Sequence, residues 1–387
     1  MLRNEISFKI KQTEGKYNTK EANECSDDPT KLWTFLNKVV KTKDHTHPPS
    51  EISANDFNTY FSSIGQNTAD SLPKINGGTP WKGPKSNTTF TFQSIEIKDI
   101  TKMLKKLAGL KSVDVLGFDA YLLFLGSDII APFLTKLFNA SLNTSIVPDD
   151  WKTARVTPVY KGKGDKSEKG NYRPISVIGH LAKLLEREIQ RQLMTYLIKN
   201  NLISIDQSAY RKFHNTQTSL HRVTDDWIDN ICDNLDTGIC FLDIKKCFDT
   251  IDHDILIEKL SFYGIVDVES SWFKSYLSNR ALIVKCNGKL LNERYVNIGV
   301  PQGSVLGPTL FMIYANDLSQ HIHIGMTNLY ADDALIYCTA PTIPSLKTKL
   351  QKCVDDVCVW YNGNKFGINA TKSNTKVIAS NNLSKVS

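Results

Sequence analysis

The chain has 387 residues, of which 41% are hydrophobic, 10% aromatic and 22% charged, with a net charge of +7. These are the proportions of a folded protein and they exclude wholesale disorder. No apolar run approaches the ~18–20 residues of a membrane helix. The opening Met1-Leu2-Arg3-Asn4-Glu5 lacks the apolar stretch of a secretory signal, so an intracellular protein is expected, in nucleus or cytoplasm.

Residues 1–27 are polar and aperiodic. Pro29 precedes a stripe of Leu32, Trp33, Leu36 and Val39, whose spacing predicts a helix. Phe57, Tyr60, Phe61 and Ile64 predict a second helix after the Pro48-Pro49 break. The stretch from Asn76 to Asn87, dense in Gly, Pro and Asn, reads as a linker, which makes residues 1–89 a helical and linker region. Helical patterns then follow at 96–110, 120–143, 181–199 and 253–263, the last stopped by Gly264. Strand patterns fall at 153–160 and 238–244, and Pro308 is placed to open a helix over 309–318. Apolar runs at 327–331 and 334–338 flank Asp332-Asp333 like the arms of a hairpin. The mixture predicts an α+β fold with a sheet covered by helices on one side.

Between Lys152 and Arg222 there are 14 Lys or Arg against 5 Asp or Glu, a local excess of +9. Such a segment suits a phosphate-rich ligand, and equally a solvated basic face. The eight cysteines (Cys25, Cys232, Cys240, Cys247, Cys286, Cys338, Cys353 and Cys358) form no Cys-x-x-Cys pair and have no histidine at zinc-finger spacing. Neither disulfides nor a zinc site is therefore expected.

Three segments could carry chemistry. Asp243 closes the apolar run Ile239-Cys240-Phe241-Leu242, where a carboxylate is costly to desolvate unless it is paired or holds a cation; facing water or capping a helix are the plain alternatives. Asp332 and Asp333 repel each other at a hairpin tip where Asn or Gly would make a better turn. With a third carboxylate from a neighbouring strand they would suit a hard divalent cation; an acidic turn tip is the plain alternative. The loop Gly299-Val300-Pro301-Gln302-Gly303-Ser304-Val305-Leu306-Gly307-Pro308 is tight and preset, and Gln302 offers both donor and acceptor groups.

In this order and at these separations, Phe241-Leu242-Asp243-Ile244-Lys245-Lys246-Cys247-Phe248-Asp249, Gly299–Ser304 and Tyr330-Ala331-Asp332-Asp333 closely resemble the reverse transcriptase domain of retrotransposons lacking long terminal repeats. Upstream, Trp151-Lys152-Thr153-Ala154-Arg155-Val156 and Asn171-Tyr172-Arg173-Pro174-Ile175-Ser176 are similar to that family's fingers motifs. Downstream, Trp360, Asn364-Lys365 and Asn369-Ala370-Thr371-Lys372 resemble its last palm motif. The resemblance covers about residues 105–378.

The resemblance implies a right-hand polymerase fold with helical fingers, an antiparallel palm sheet and a missing thumb. Fingers and the start of the palm would span 90–240 and the palm 241–387, within a reverse transcriptase domain of about 130–387. It implies an RNA-directed DNA polymerase whose partners are an RNA template, a DNA primer and deoxynucleoside triphosphates. Asp243, Asp332, Asp333 and the backbone carbonyl of Ile244 would hold two Mg²⁺ ions, replaceable by Mn²⁺. Phe248 would exclude a ribose 2′-hydroxyl, Gln302 and Gly303 would line the nucleotide and template side, and Lys372 would protonate the departing pyrophosphate. Arg173, with Lys161 or Lys163, would contact the triphosphate. The +9 segment then falls on the fingers. The alternative is a non-catalytic nucleic-acid-binding remnant of the same fold; a glycoside hydrolase using paired carboxylates is disfavoured by the basic segment.

Some positions depart from the family pattern. Cys247 stands where alanine is usual, Leu116 where an Asp is usual, and Gln207-Ser208-Ala209-Tyr210-Arg211 replaces a more common Gly-Phe pair. Without a thumb, weak extension of low processivity, or none, is expected.

Overall fold

The computed structural model describes residues 12–13, 17, 19–21, 23–24, 52–73, 80–211, 213–286 and 289–380. The helix predicted over 29–39 and residues 74–79 of the linker lie outside them. The chain divides into two compact units, Met1–Glu51 with Val159–Arg173, and Ile52–Pro158 with Pro174–Ser387. In the smaller unit the Lys161 N–H donates to the Asn171 carbonyl at 2.9 Å. The Tyr172 hydroxyl donates to the Lys166 carbonyl at 2.8 Å, so residues 161–171 close on themselves.

The elements run α1 (Ala54–Asp70), α2 (Ile97–Lys105), α3 (Ala120–Leu125), α4 (Ser127–Thr144), β1 (Thr153–Tyr160), β2 (Tyr172–Ile178), α5 (His180–Lys199) and α6 (Thr216–Cys232). They continue with β3 (Asp236–Leu242), α7 (His253–Phe262), α8 (Asp267–Leu277), β4 (Arg280–Cys286), β5 (Lys289–Leu290), β6 (Arg294–Val296), α9 (Gly307–Ala315) and α10 (Leu318–His321). The last are β7 (Met326–Tyr330), β8 (Asp333–Ala340), α11 (Ile343–Gly363) and β9 (Asn374–Ile378). The single helix predicted over 120–143 is two, because Gly126 ends α3 and begins α4. The helix predicted over 96–110 stops at Lys105.

Among the described residues two sheets form where one was predicted. The first is mixed, in the order β2-β1-β4-β5, with β6 also on β4. Its β1–β4 pairing is parallel, from Thr153↔Ala281 to Val156↔Val284. The second is antiparallel throughout, in the order β7-β8-β3-β9.

Helices cover both faces of the second sheet, and the expectation of cover on one side is corrected. The cause lies in β3, whose apolar residues do not alternate with polar ones; a strand of that kind needs burial on both sides. Cys240 and Leu242 join the main core with Ile336, Cys338 and, from α11, Leu346, Cys353 and Val357. On the opposite face Ile239 and Tyr337 pack with Val223 and Trp227 of α6. Phe241, next along that second face, is 41% exposed, so the cover stops short of the end of the strand where Asp243 lies.

Candidate active site

Strand register brings two distant carboxylates side by side. In the β3–β8 ladder Leu242 pairs with Ala334 and Phe241 with Leu335. One further step sets Asp243 against Asp333, and residues directly opposite in a ladder share a face. In the hairpin, Tyr330 pairs with Asp333, which leaves Ala331 and Asp332 as a two-residue turn. Ala331 has φ 56° while Asp332 is not left-handed. That is the pattern of a turn whose first central position normally takes glycine. For an L-residue it costs ~1–2 kcal/mol.

Each carboxylate has its own surroundings. Asp243 Oδ2 accepts from Asn369 Nδ2 at 2.7 Å and lies 3.3 Å from Lys372 Nζ. The Asp243 N–H donates to Ser373 Oγ at 3.3 Å, and the Asn369 N–H donates to the Asp243 carbonyl at 2.8 Å. The segment 369–373 thus clasps Asp243 on both its backbone and its side chain. Cys247 Sγ donates to Asp332 Oδ2 at 3.5 Å, and burial followed by the nearby Asp332 charge pushes that thiol well above its ordinary range. Burial, with Asp332 again contributing, lifts the Tyr210 hydroxyl to about 12. Burial also raises the Asp333 carboxyl, Asp332 and Asp243 push it further up, and Lys372 opposes them.

These oxygens fit a hard divalent cation by the chemistry of the set. They are carboxylates, and the Lys372 ammonium already places a positive charge against Asp243. Among the described residues no group of three or more His, Cys, Asp or Glu stands ready-made as a metal cluster. Lys372 and Asn369 hold Asp243 instead. Ile244 bridges Ile368, with the Lys245 N–H donating to the Gly367 carbonyl at 2.8 Å and the Asn369 N–H to that of Asp243. In that antiparallel pattern the bonds run through the flanking residues, so the N–H and C=O of Ile244 point the other way, towards the β8 side.

Phe248 is half-buried, its ring 5.1 Å from that of Phe311. Its carbonyl accepts from the Val300 N–H at 2.8 Å, which ties it to the glycine-rich loop. In that loop Gln302 Nε2 donates to both carboxylate oxygens of Asp249 at 2.9 Å, and its carbonyl accepts from the Ser176 N–H. Gly303 has φ 116°, and a Cβ there would stand 2.5 Å from the Ser176 carbonyl oxygen. Gly299 has φ 83°, and a Cβ would meet the Asp249 carbonyl oxygen at 2.7 Å. Both positions need glycine for the path of the chain itself. Buried Glu186 holds the far end of the loop, accepting from the Val305 N–H at 2.6 Å and the Leu306 N–H at 3.2 Å.

Asp243, Asp332, Asp333 and Lys372 therefore meet at one end of the antiparallel sheet, with Phe248 and Gln302 linked to them through Cys247 and Asp249. Arg173, Lys161 and Lys163 belong to the smaller unit, where Lys161 Nζ donates to the Gly170 carbonyl at 2.6 Å and Arg173 is exposed. Sequence reasoning gave no role to Asn369, Ser373, Asp249, Glu186 or Gln207. Asn369 and Asp249 sit inside the quoted motifs, which was the available signal; Gln207 stood out only as a departure.

Residues 161–381, more than half of the chain, match the family described as reverse transcriptase (RNA-dependent DNA polymerase). The chain belongs to the reverse transcriptase family. It is 29% identical over 242 residues to a Drosophila melanogaster protein named "Probable RNA-directed DNA polymerase from transposon BS", covering 59% of this chain and 26% of that protein. Over 293 residues it is 28% identical to the "RNA-directed DNA polymerase from mobile element jockey" of the same species, covering 72% of this chain and 31% of the relative. It is 26% identical over 174 residues to the "Retrovirus-related Pol polyprotein from type-1 retrotransposable element R2" of Popillia japonica, covering 44% and 24% of the two chains. The chain thus spans about a quarter to a third of the length of these relatives, and its likeness is to reverse transcriptases of transposons without long terminal repeats. Reverse transcriptases work with divalent metal ions and have a polymerase fold, consistent with the antiparallel sheet carrying the carboxylates. Among the described residues no helix is long and apolar enough to cross a membrane, and Cys232, Cys240, Cys247, Cys286, Cys338, Cys353 and Cys358 are free thiols.

Proposed function

We propose that this reverse transcriptase chain is an RNA-directed DNA polymerase core, adding deoxynucleotides to a DNA primer on an RNA template. The observation that carries the reading is the strand register that sets Asp243 beside Asp333, with Asp332 at the adjoining turn and Lys372 against Asp243. In this reading the sheet β7-β8-β3-β9 is the heart of the palm, which extends over 241–387, and residues 90–240 supply helical fingers and the start of the palm.

Two Mg²⁺ ions, or Mn²⁺ in their place, held by Asp243, Asp332, Asp333 and the Ile244 carbonyl would activate the primer hydroxyl and neutralise charge on the phosphates. The chain's own residues do the rest. Lys372 gives up Asp243 when the site is loaded and turns its proton towards the leaving pyrophosphate. The Phe248 ring, braced on Phe311, closes the space beside the sugar 2′-position. Asp249 takes the Gln302 NH₂ group, which leaves the Gln302 amide oxygen for the nucleotide. Gly303 lets the template side approach closely. Arg173, Lys161 and Lys163 are the cations for the triphosphate, suited to it by bidentate and point-charge recognition.

The test is primer extension by the full chain on an RNA template with Mg²⁺, with Asp332→Asn alongside. Expected are short, metal-dependent products, and a drop of about a thousandfold or more in Asp332→Asn, as befits loss of a metal ligand in phosphoryl transfer. Incorporation by Asp332→Asn at the unsubstituted rate refutes the reading. Tight template–primer binding without incorporation by either protein points to a non-catalytic remnant.

A further inference from the structure

The left-handed turn at Ala331 is held from outside the hairpin. Residues 206–208 lie along β7, the edge strand of its sheet, in a short parallel pairing that bridges Gln207 to Leu329. The Ser208 N–H donates to the Leu329 carbonyl at 2.9 Å, and the Leu329 N–H donates to the Asp206 carbonyl at 2.8 Å. This pairing delivers the Gln207 side chain, 0% exposed, to the tip of the hairpin. There its Oε1 accepts two backbone N–H groups, from Ala209 at 2.9 Å and from Ala331 at 3.2 Å. Arg211 anchors the segment in turn, donating from Nη1 to the Gln207 carbonyl at 3.1 Å and to that of Ser204 at 3.2 Å.

The orientation of the Gln207 amide has a cost that identifies its task. Nε2 is buried with no hydrogen-bond partner, although a buried donor is normally satisfied. Turning the amide over would put NH₂ against the two backbone N–H groups and lose both bonds. The structure therefore keeps one orphan donor so that the Ala331 N–H has an acceptor.

We infer that Gln207 is a positioning residue of the polymerase site: by accepting the Ala331 N–H it stabilises the left-handed turn and thereby fixes the direction of Asp332 and Asp333. The inference rests on the polymerase reading above and adds to it a residue 124 positions away from the turn in sequence. A side chain that locks ligand geometry from behind acts on the rate of the chemical step more than on nucleotide binding.

The test uses the full chain with Gln207→Met, Gln207→Glu, Ala331→Gly, and Gln207→Met combined with Ala331→Gly. Gln207→Met removes the acceptor at similar volume; kcat for incorporation is expected to fall about tenfold or more with nucleotide KM within about twofold. Glycine at 331 enters the left-handed region freely, so the double variant is expected to recover to within about threefold of the unsubstituted chain. Hydrogen–deuterium exchange supplies a readout independent of activity: the Ala331 amide is expected to exchange faster in Gln207→Met and to stay protected in Gln207→Glu, which keeps an acceptor. Equal losses in Gln207→Met with and without Ala331→Gly, or unchanged exchange at Ala331, overturn the inference. Should Gln207→Met fail to fold, exchange and kcat in Gln207→Glu decide: loss of Ala331 protection there overturns it too. Asp332→Asn keeps the two ideas apart. If it abolishes incorporation while Gln207→Met changes neither kcat nor exchange, only the positioning role fails; if it is fully active, the polymerase reading itself fails.

Discussion

Two loops border the acidic end of the antiparallel sheet, and they solve one backbone problem in opposite ways. The loop 299–308 enters left-handed φ at Gly299 and Gly303, where the absence of Cβ makes it free and a Cβ would collide with Asp249 and Ser176. The 331–332 turn enters it with alanine, at φ 56°. Each is fastened by one buried side chain accepting two backbone N–H groups: Glu186 from Val305 and Leu306, Gln207 from Ala209 and Ala331. The first arrangement is relaxed and held by an ionisable group, the second strained and held by a neutral one. Strain persists where the surroundings over-determine a conformation, and here it coincides with the paired carboxylates.

The largest expected effect tests the relaxed loop. Gly299→Ala should destabilise the fold by ~3–5 kcal/mol, combining left-handed strain with a backbone clash. Urea unfolding followed by tryptophan fluorescence measures it, and a loss below 1 kcal/mol would show that this loop tolerates a side chain after all. The next effect separates the two clasps by pH. Burial raises the Glu186 carboxyl above its ordinary 4.5, an effect that Arg280 and the loop N–H groups only partly offset. The folded chain therefore keeps a proton that the unfolded chain releases. The stability Glu186 contributes is complete below about pH 4.5 and is lost as pH rises through the raised value. Unfolding free energies at several pH values should show this decline in the unsubstituted chain and not in Glu186→Gln, whereas Gln207→Glu should introduce a new dependence. The smallest effect belongs to the strained turn: Ala331→Gly should stabilise by ~0.5–1 kcal/mol, relief of strain less the extra chain entropy of glycine. Destabilisation on thermal melting would mean that the turn carries no strain.

Local pattern made part of this legible. The apolar runs around Asp243 and around Asp332-Asp333 announced strand ends and a hairpin, and the ladder pairs them as adjacent strands. Pro308 opened α9 as its fixed φ dictates. Residues whose work is done across the chain were not legible. Gln207 reaches Ala331, and Glu186 reaches Val305, through pairings that no periodicity encodes. The break at Gly126 was missed because a lone glycine inside a helical pattern is usually tolerated. Cover on both faces of the second sheet was missed because a short apolar run does not say which element lies over it. Arg173, Lys161 and Lys163 fall in the smaller unit, a division of the chain that no local pattern announced.

The pairing of β3 with β8 also limits how this chain can change over generations. Side chains alternate sides along a strand, so adding or removing one residue between Asp236 and Asp243 would turn Asp243 to the opposite surface from Asp333. Substitutions along these strands are negotiable, one packed side chain for another of similar volume. Their length is not: a single inserted or deleted codon would separate the acidic partners without altering either one.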